Sequence, residues 1–150
     1  MKIKEVEKID SQYVEAMRRF LSIYRYLRQY GRKMQSENLS GREVSILRYL
    51  MESEPLTIGQ CRDYLFLSDS STSELMAHME QNGQVIRARS QSDNRSVMVT
   101  LTAAGRKLAR SLTLGGMPLL REKLKTLSPD QLSRLYDALG DIEQLLEIAE

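Results

Sequence analysis

Cysteine and histidine are nearly missing from this chain, with Cys61 and His78 the single examples of each. One cysteine excludes an intrachain disulfide framework and cannot build a thiolate zinc cluster; one histidine leaves little for metal binding or acid–base chemistry. Long apolar runs are missing too. No stretch approaches the roughly 20 residues that span a bilayer, and the N-terminal MKIKEVEKID is charged where a signal peptide has an apolar centre. A glycine-rich phosphate loop and a nucleophile beside a base are also lacking. The chain therefore reads as a cytoplasmic protein without catalytic activity, metal, cofactor or membrane contact. With 150 residues, 41% of them hydrophobic, it has enough material for one domain with a real core.

The net charge of +2 hides an uneven distribution. From Gln84 to Arg110, six basic residues (Arg87, Arg89, Arg95, Arg106, Lys107, Arg110) stand against Asp93 alone, a local net of +5. From Asp130 to Glu150, six acids stand against Arg134, a local net of −5. A molecule with one end at phosphates and the other end away from them has this pattern, and so do two solvated faces of opposite sign. Between Asp63 and Ile86 there is no lysine or arginine, while Asp63, Asp69, Glu74 and Glu80 add four negative charges.

Apolar spacing predicts a mainly helical chain. Tyr13, Met17, Phe20, Tyr24 and Leu27 form a seam along a first helix running from about Ser11 to Gln35. Ser40 and Glu43 form an S-x-x-E capping pattern, with Leu39 and Val44 as the apolar staple, and open a helix that ends at Glu54-Pro55. Thr57 and Gln60 repeat the pattern for a short helix, and Ser68 caps the next, which buries Leu75, Met76 and Met79 and stops at Asn82-Gly83. Gln84 to Thr102 then reads as a hairpin in which Val97, Val99 and Leu101 face one side. Gly115 to Pro118 interrupts the helical pattern that follows. Ser128-Pro129-Asp130-Gln131 starts a last helix whose seam, Leu132, Leu135, Leu139, Ile142, Leu146 and Ala149, continues to the chain's end. Helix, turn, helix and β-hairpin make a winged helix-turn-helix. The two terminal seams offer more apolar surface than its core can cover, which predicts a homodimer through the terminal helices; packing of those helices on each other within one chain is the alternative.

In order and punctuation the segments resemble the MarR family of bacterial transcription regulators. The likeness rests on L-S-x-x-E-x-x-I-L at Leu39 to Leu47, P-L-T at Pro55 to Thr57, and the serine-rich helix start at Ser68 to Ser73. It continues in M-E-x-x-G-x-V at Met79 to Val85, D-x-R at Asp93 to Arg95, and V-x-L-T-x-x-G at Val99 to Gly105. The resemblance implies one domain over residues 1–150, with the winged helix-turn-helix at 39–102 and dimerisation helices at 11–36 and 103–149. It also implies a repressor that binds a palindromic operator on double-stranded DNA as a homodimer and responds to a small-molecule effector. Arg95 takes the place of the family's minor-groove wing arginine, and Asp93 that of the acid supporting the wing. Arg87 and Arg89 are placed to touch phosphates on the strand leading into the wing, or else to line a solvated strand edge. Ser68, Ser70, Ser71 and Ser73, at the start of the recognition helix, are candidates for phosphate or base-edge contacts, with capping as the competing use. Glu74 departs from the family, which commonly has a basic residue there. That departure keeps a second reading open, a winged-helix protein-interaction module that has lost DNA binding.

Overall fold

Three helices begin where the sequence supplies a hydroxyl and, three residues on, a side chain that reaches back. At α2 (Gly41–Ser53) the Glu43 amide donates to Ser40 Oγ at 3.2 Å and the Ser40 amide donates to the Glu43 carboxylate at 2.7 Å. Thr57 with Gln60 opens α3 (Ile58–Leu65) in the same way, and Ser128 with Gln131 opens α7 (Pro129–Leu145). The computed structural model describes residues 2–148, with side chains from Asp10 onward. Within it, α1 (Lys2–Ser36) starts well before Ser11, where the seam places it. Lys2 to Asp10 contain neither proline nor glycine and set opposite charges three residues apart, so no local signal stops the helix there.

Four segments end through a left-handed residue. Asn38, Phe66, Gly83 and Glu147 have φ of 57, 54, 69 and 53°, and the amide after each donates to the carbonyl five residues back, as Leu67 does to Arg62 at 3.2 Å. The turn at Glu147 stops α7 at Leu145, short of the end of its sequence seam; Ala149 lies outside the described residues.

The expected hairpin is present as β2 (Val85–Arg89) and β3 (Val97–Leu101), in a register that pairs Arg87 with Val99 and Arg89 with Val97. A third strand, β1 (Leu56–Thr57), joins on the far side, giving an antiparallel sheet of order β1-β3-β2. Two residues are too short for alternation to reveal in the sequence.

Backbone contacts divide the chain into two units, Met1–Pro118 and Leu119–Glu150. The core of the first unit joins Ile46, Leu47 and Leu50 of α2 to Cys61, to Met76 and Met79 of α4 (Asp69–Gln81), and to Val85 and Val99 of the sheet. A smaller cluster joins Met34, Leu39 and Val44, where the predicted staple closes on the end of α1. Gly105, in the first turn of α5 (Ala103–Ser111), lies so near β2 that a Cβ there would sit 1.9 Å from the Gln84 carbonyl oxygen. Glycine is thus required by the close approach of two backbones. Gly115 and Gly116, where α6 (Gly116–Leu124) begins, pack in the same way on the Tyr30 ring, and the Gly116 amide donates to the Tyr26 hydroxyl at 3.1 Å. In the second unit α7 buries none of its residues, so its leucine seam is open. Among the described residues no helix is long and apolar enough to cross a membrane.

Candidate nucleic-acid interface

The expected recognition helix, α4, starts in a cluster of hydroxyls. Ser68 Oγ accepts from the Ser71 amide at 3.2 Å, donates to Ser71 Oγ at 3.0 Å and lies 3.2 Å from Ser70 Oγ. Capping therefore engages Ser68 and Ser71 first, with Ser70 joined to them and Ser73 exposed one turn further on. Buried Thr72 donates to the Ser68 carbonyl at 2.8 Å, which fixes the helix start against the core.

The four acids of the cation-free window look unfavourable for phosphates, yet the fold gives three of them partners from residues just outside that window. Arg62, the residue before it, donates from Nε to Asp63 at 2.9 Å and from Nη1 to Asp69 at 2.8 Å. These bonds raise its pKa, Asp63 contributing most. Arg87, the residue after the window, donates from Nε and Nη2 to Glu80 Oε2 at 2.9 and 2.7 Å, and from its main-chain amide to Oε1 at 3.0 Å. The Arg87 side chain and then its amide hold the Glu80 carboxyl below its ordinary range. Glu74 stays exposed on α4. Neither Arg62 nor the Glu80 pairing stands out in the sequence. The only signal was positional, since both arginines flank the stretch that lacks positive charge.

At the wing, Arg89 and Arg95 are exposed, while Arg87 is half-buried against Glu80. The tip is stitched locally. Asp93 Oδ1 accepts from the Arg95 amide at 3.0 Å and Oδ2 from Ser96 Oγ at 2.9 Å. Ser90 Oγ accepts from the amides of Ser92 and Asp93, and the Ser90 amide donates to the Ser96 carbonyl at 2.8 Å. Asp93 thus shapes the turn through the Arg95 amide, which together with Ser96 lowers its pKa. The Arg95 guanidinium is not what holds Asp93. The site residues fall into two groups, the serines at the start of α4 and the arginines of the hairpin, and the Glu80–Arg87 pair ties the hairpin to the last turn of α4.

Two other sequence features find their places, and one hollow lies on α1. Cys61 is fully buried and its thiol is pushed up to about 11 by desolvation, a state unsuited to thiolate chemistry. His78 turns toward α2, with Nε2 3.7 Å from Glu43 Oε1 and 3.0 Å from Asn82 Nδ2. A shallow hollow of about 380 Å³ on α1 is lined by Tyr26, Gln29, Tyr30 and Lys33.

A capped helix beside an arginine-tipped hairpin on a helical scaffold defines a winged-helix protein of the transcription-regulator class. Residues 28–112 match the family described as transcriptional regulator SarA/Rot, and the chain belongs to that family. It is 30% identical over 113 residues to YfiV, an uncharacterized HTH-type transcriptional regulator of Bacillus subtilis (strain 168), covering 75% of this chain and 71% of that protein. AbsC, a MarR family transcriptional regulator from Streptomyces coelicolor, is similar in structure, with a TM-score of 0.62 and 25% identity over 88% of this chain and 92% of AbsC. MepR of S. aureus, solved as a DNA complex, shares the fold with a TM-score of 0.59 at 19% identity over 89% of this chain and 97% of MepR. The MarR resemblance read from the residues and the fold of these neighbours agree.

Proposed function

We propose that this regulator is a cytoplasmic, non-catalytic repressor that binds a palindromic operator as a homodimer, each protomer covering one half-site. The observation that carries the reading is the pair of exposed arginines, Arg89 and Arg95, on a hairpin joined to a helix whose start displays hydroxyls and amides. Arginine at a hairpin tip follows the negative potential of a narrow minor groove, while the helix start suits phosphates and base edges. Phosphate attraction is then concentrated in the wing and binding is strongly salt-dependent. Titration of sheared genomic duplexes at low salt tests this directly: retardation that disappears as salt rises is expected, and no retardation at any salt overturns the reading.

Apolar exposure supports the dimer. Met17, Phe20 and Tyr24 of α1 and Leu132 and Leu139 of α7 are at least 40% exposed in the protomer and follow one another along their helix seams, as the apolar residues of an interaction surface do. A second copy covers them, so sedimentation equilibrium at micromolar concentration should report a dimer; a monomer alone would contradict the assignment. The hollow at Tyr26 and Tyr30 supports an effector that changes operator affinity. The acidity of α4 favours the second reading, a protein-interaction module without DNA, but Arg62 and Arg87 neutralise three of the four carboxylates that motivate it.

A further inference from the structure

Glu80 places a carboxylate on the recognition helix, one residue from its end, on a molecule whose proposed ligand is polyanionic. We propose that Glu80 is the positioning residue of the wing, and that it strengthens DNA binding by fixing strand β2 to α4 through Arg87. The inference rests on the DNA-reading function above and assigns Arg87 to this tie in place of a phosphate.

Three donors from one residue converge on this carboxylate, and they differ in what they fix. The two guanidinium bonds, 2.9 and 2.7 Å, hold a side chain; the amide bond at 3.0 Å holds the strand itself. Since β2 is an edge strand, Glu80 gives the Arg87 amide an acceptor beyond the sheet. The carboxylate stands on firm ground, because Met76 and Met79 of the same helix are fully buried. Along β2, Arg87 lies midway between Val85, buried in the core, and Arg89, exposed. The tie is therefore made at the root of the hairpin, at the rung where Val99 also pairs with Leu56 of β1 and one rung before Met98 pairs with Thr57, ahead of the exposed arginines.

Leverage makes this position matter. At a strand rise of about 3.3 Å per residue, the wing tip lies roughly 15 Å beyond Arg87, and a 10° swing at the tie moves Arg95 by about 2–3 Å. That displacement exceeds the tolerance of a hydrogen bond or a close groove contact. Glu80 is ionised throughout the neutral range, its pKa lowered by the same Arg87 bonds, so the tie persists under ordinary conditions.

Charge alone predicts the opposite sign, since deleting an acid near DNA removes repulsion. The test compares Glu80→Ala, Arg87→Ala and the double variant in the full chain, by anisotropy titration against the same pool of sheared genomic duplexes and by hydrogen exchange on the free protein. Each single variant should lose about tenfold in affinity, and the double should lose no more than either one, because both remove the same tie. Arg87→Ala should leave the salt slope unchanged, and both singles should lose amide protection across residues 85–97 while α2 keeps its own. Glu80→Gln, which retains an acceptor for the amide, should fall between wild type and Glu80→Ala and covers the case of a poorly folding alanine variant. Unchanged or tighter binding by Glu80→Ala, a salt slope lowered by about one phosphate in Arg87→Ala, or unaltered protection of the wing would each overturn the proposal. If the wild type retards no duplex, the DNA reading fails on its own, and the exchange experiment still decides whether Glu80 positions the wing.

Discussion

The root and the tip of the hairpin carry the same residue type and use it differently. At the root, Arg87 is gripped by Glu80, the Leu101 amide donates to Glu54 at 2.8 Å, Arg106 pairs with the same Glu54, and Gly105 lets α5 lie against the Gln84 carbonyl. At the tip, Arg89 and Arg95 are exposed, and the hydrogen bonds that shape the turn come from Ser90, Asp93 and Ser96. A charge count along the chain treats all three hairpin arginines as equivalent. The fold makes the first part of the scaffold and leaves the other two exposed. Root substitutions should therefore appear as lost stability and misplaced wings, and tip substitutions as lost affinity with stability intact.

The largest expected effect is at the tip. Arg89→Ala combined with Arg95→Ala should weaken duplex binding about 100-fold, on the basis of one to three kcal/mol for each groove or phosphate arginine, with no change in melting temperature. Loss of stability in that variant would erase the distinction between the two regions. Next comes the root: Gly105→Ala forces a methyl into a backbone carbonyl and should destabilise by about 1–3 kcal/mol, read as a lower calorimetric melting temperature. A smaller gain of about 1 kcal/mol is expected for Phe66→Gly. Phe66 is 87% exposed and holds a left-handed conformation that costs an L-residue with a bulky side chain more than glycine. Urea unfolding checks this, and a loss of stability would show that the ring contributes packing worth more than the backbone strain.

Acid should act on the root more gently. Burial pushes the Glu54 carboxyl up, but the Leu101 amide and Arg106 outweigh it and hold the folded-state value below the ordinary one. A depressed folded value means that this contribution is complete above the usual carboxylate range near 4.5 and is lost as pH falls through the folded value. Melting temperature should fall as pH drops from 5 toward 3, and Glu54→Gln should flatten that dependence. An equally steep profile in the variant would assign the acid sensitivity elsewhere.

What the sequence made legible was chemistry that acts over three or four residues. The pairs Ser40 with Glu43, Thr57 with Gln60 and Ser128 with Gln131 announced their helices because donor and acceptor are neighbours on the chain. Leu39 and Val44 and the alternation of Val97, Val99 and Leu101 were readable for the same reason. Phe66 gave no warning of a left-handed turn, because a phenylalanine carries no preference for it; the surrounding packing imposes that conformation. The pairing of Glu80 with Arg87 crosses the Gly83 turn and depends on where the hairpin lies, which periodicity does not specify. The requirement for glycine at position 105 likewise comes from the Gln84 backbone, 21 residues earlier in the chain.

The central claim, that exposed wing arginines carry the attraction for DNA, is tested most directly by the salt dependence of duplex binding in the wild type and in the Arg89→Ala/Arg95→Ala variant. The slope of log affinity against log salt should become shallower by nearly two phosphate equivalents, at about 0.9 for each. Parallel lines for the two proteins, or wild-type binding indifferent to salt, would contradict it.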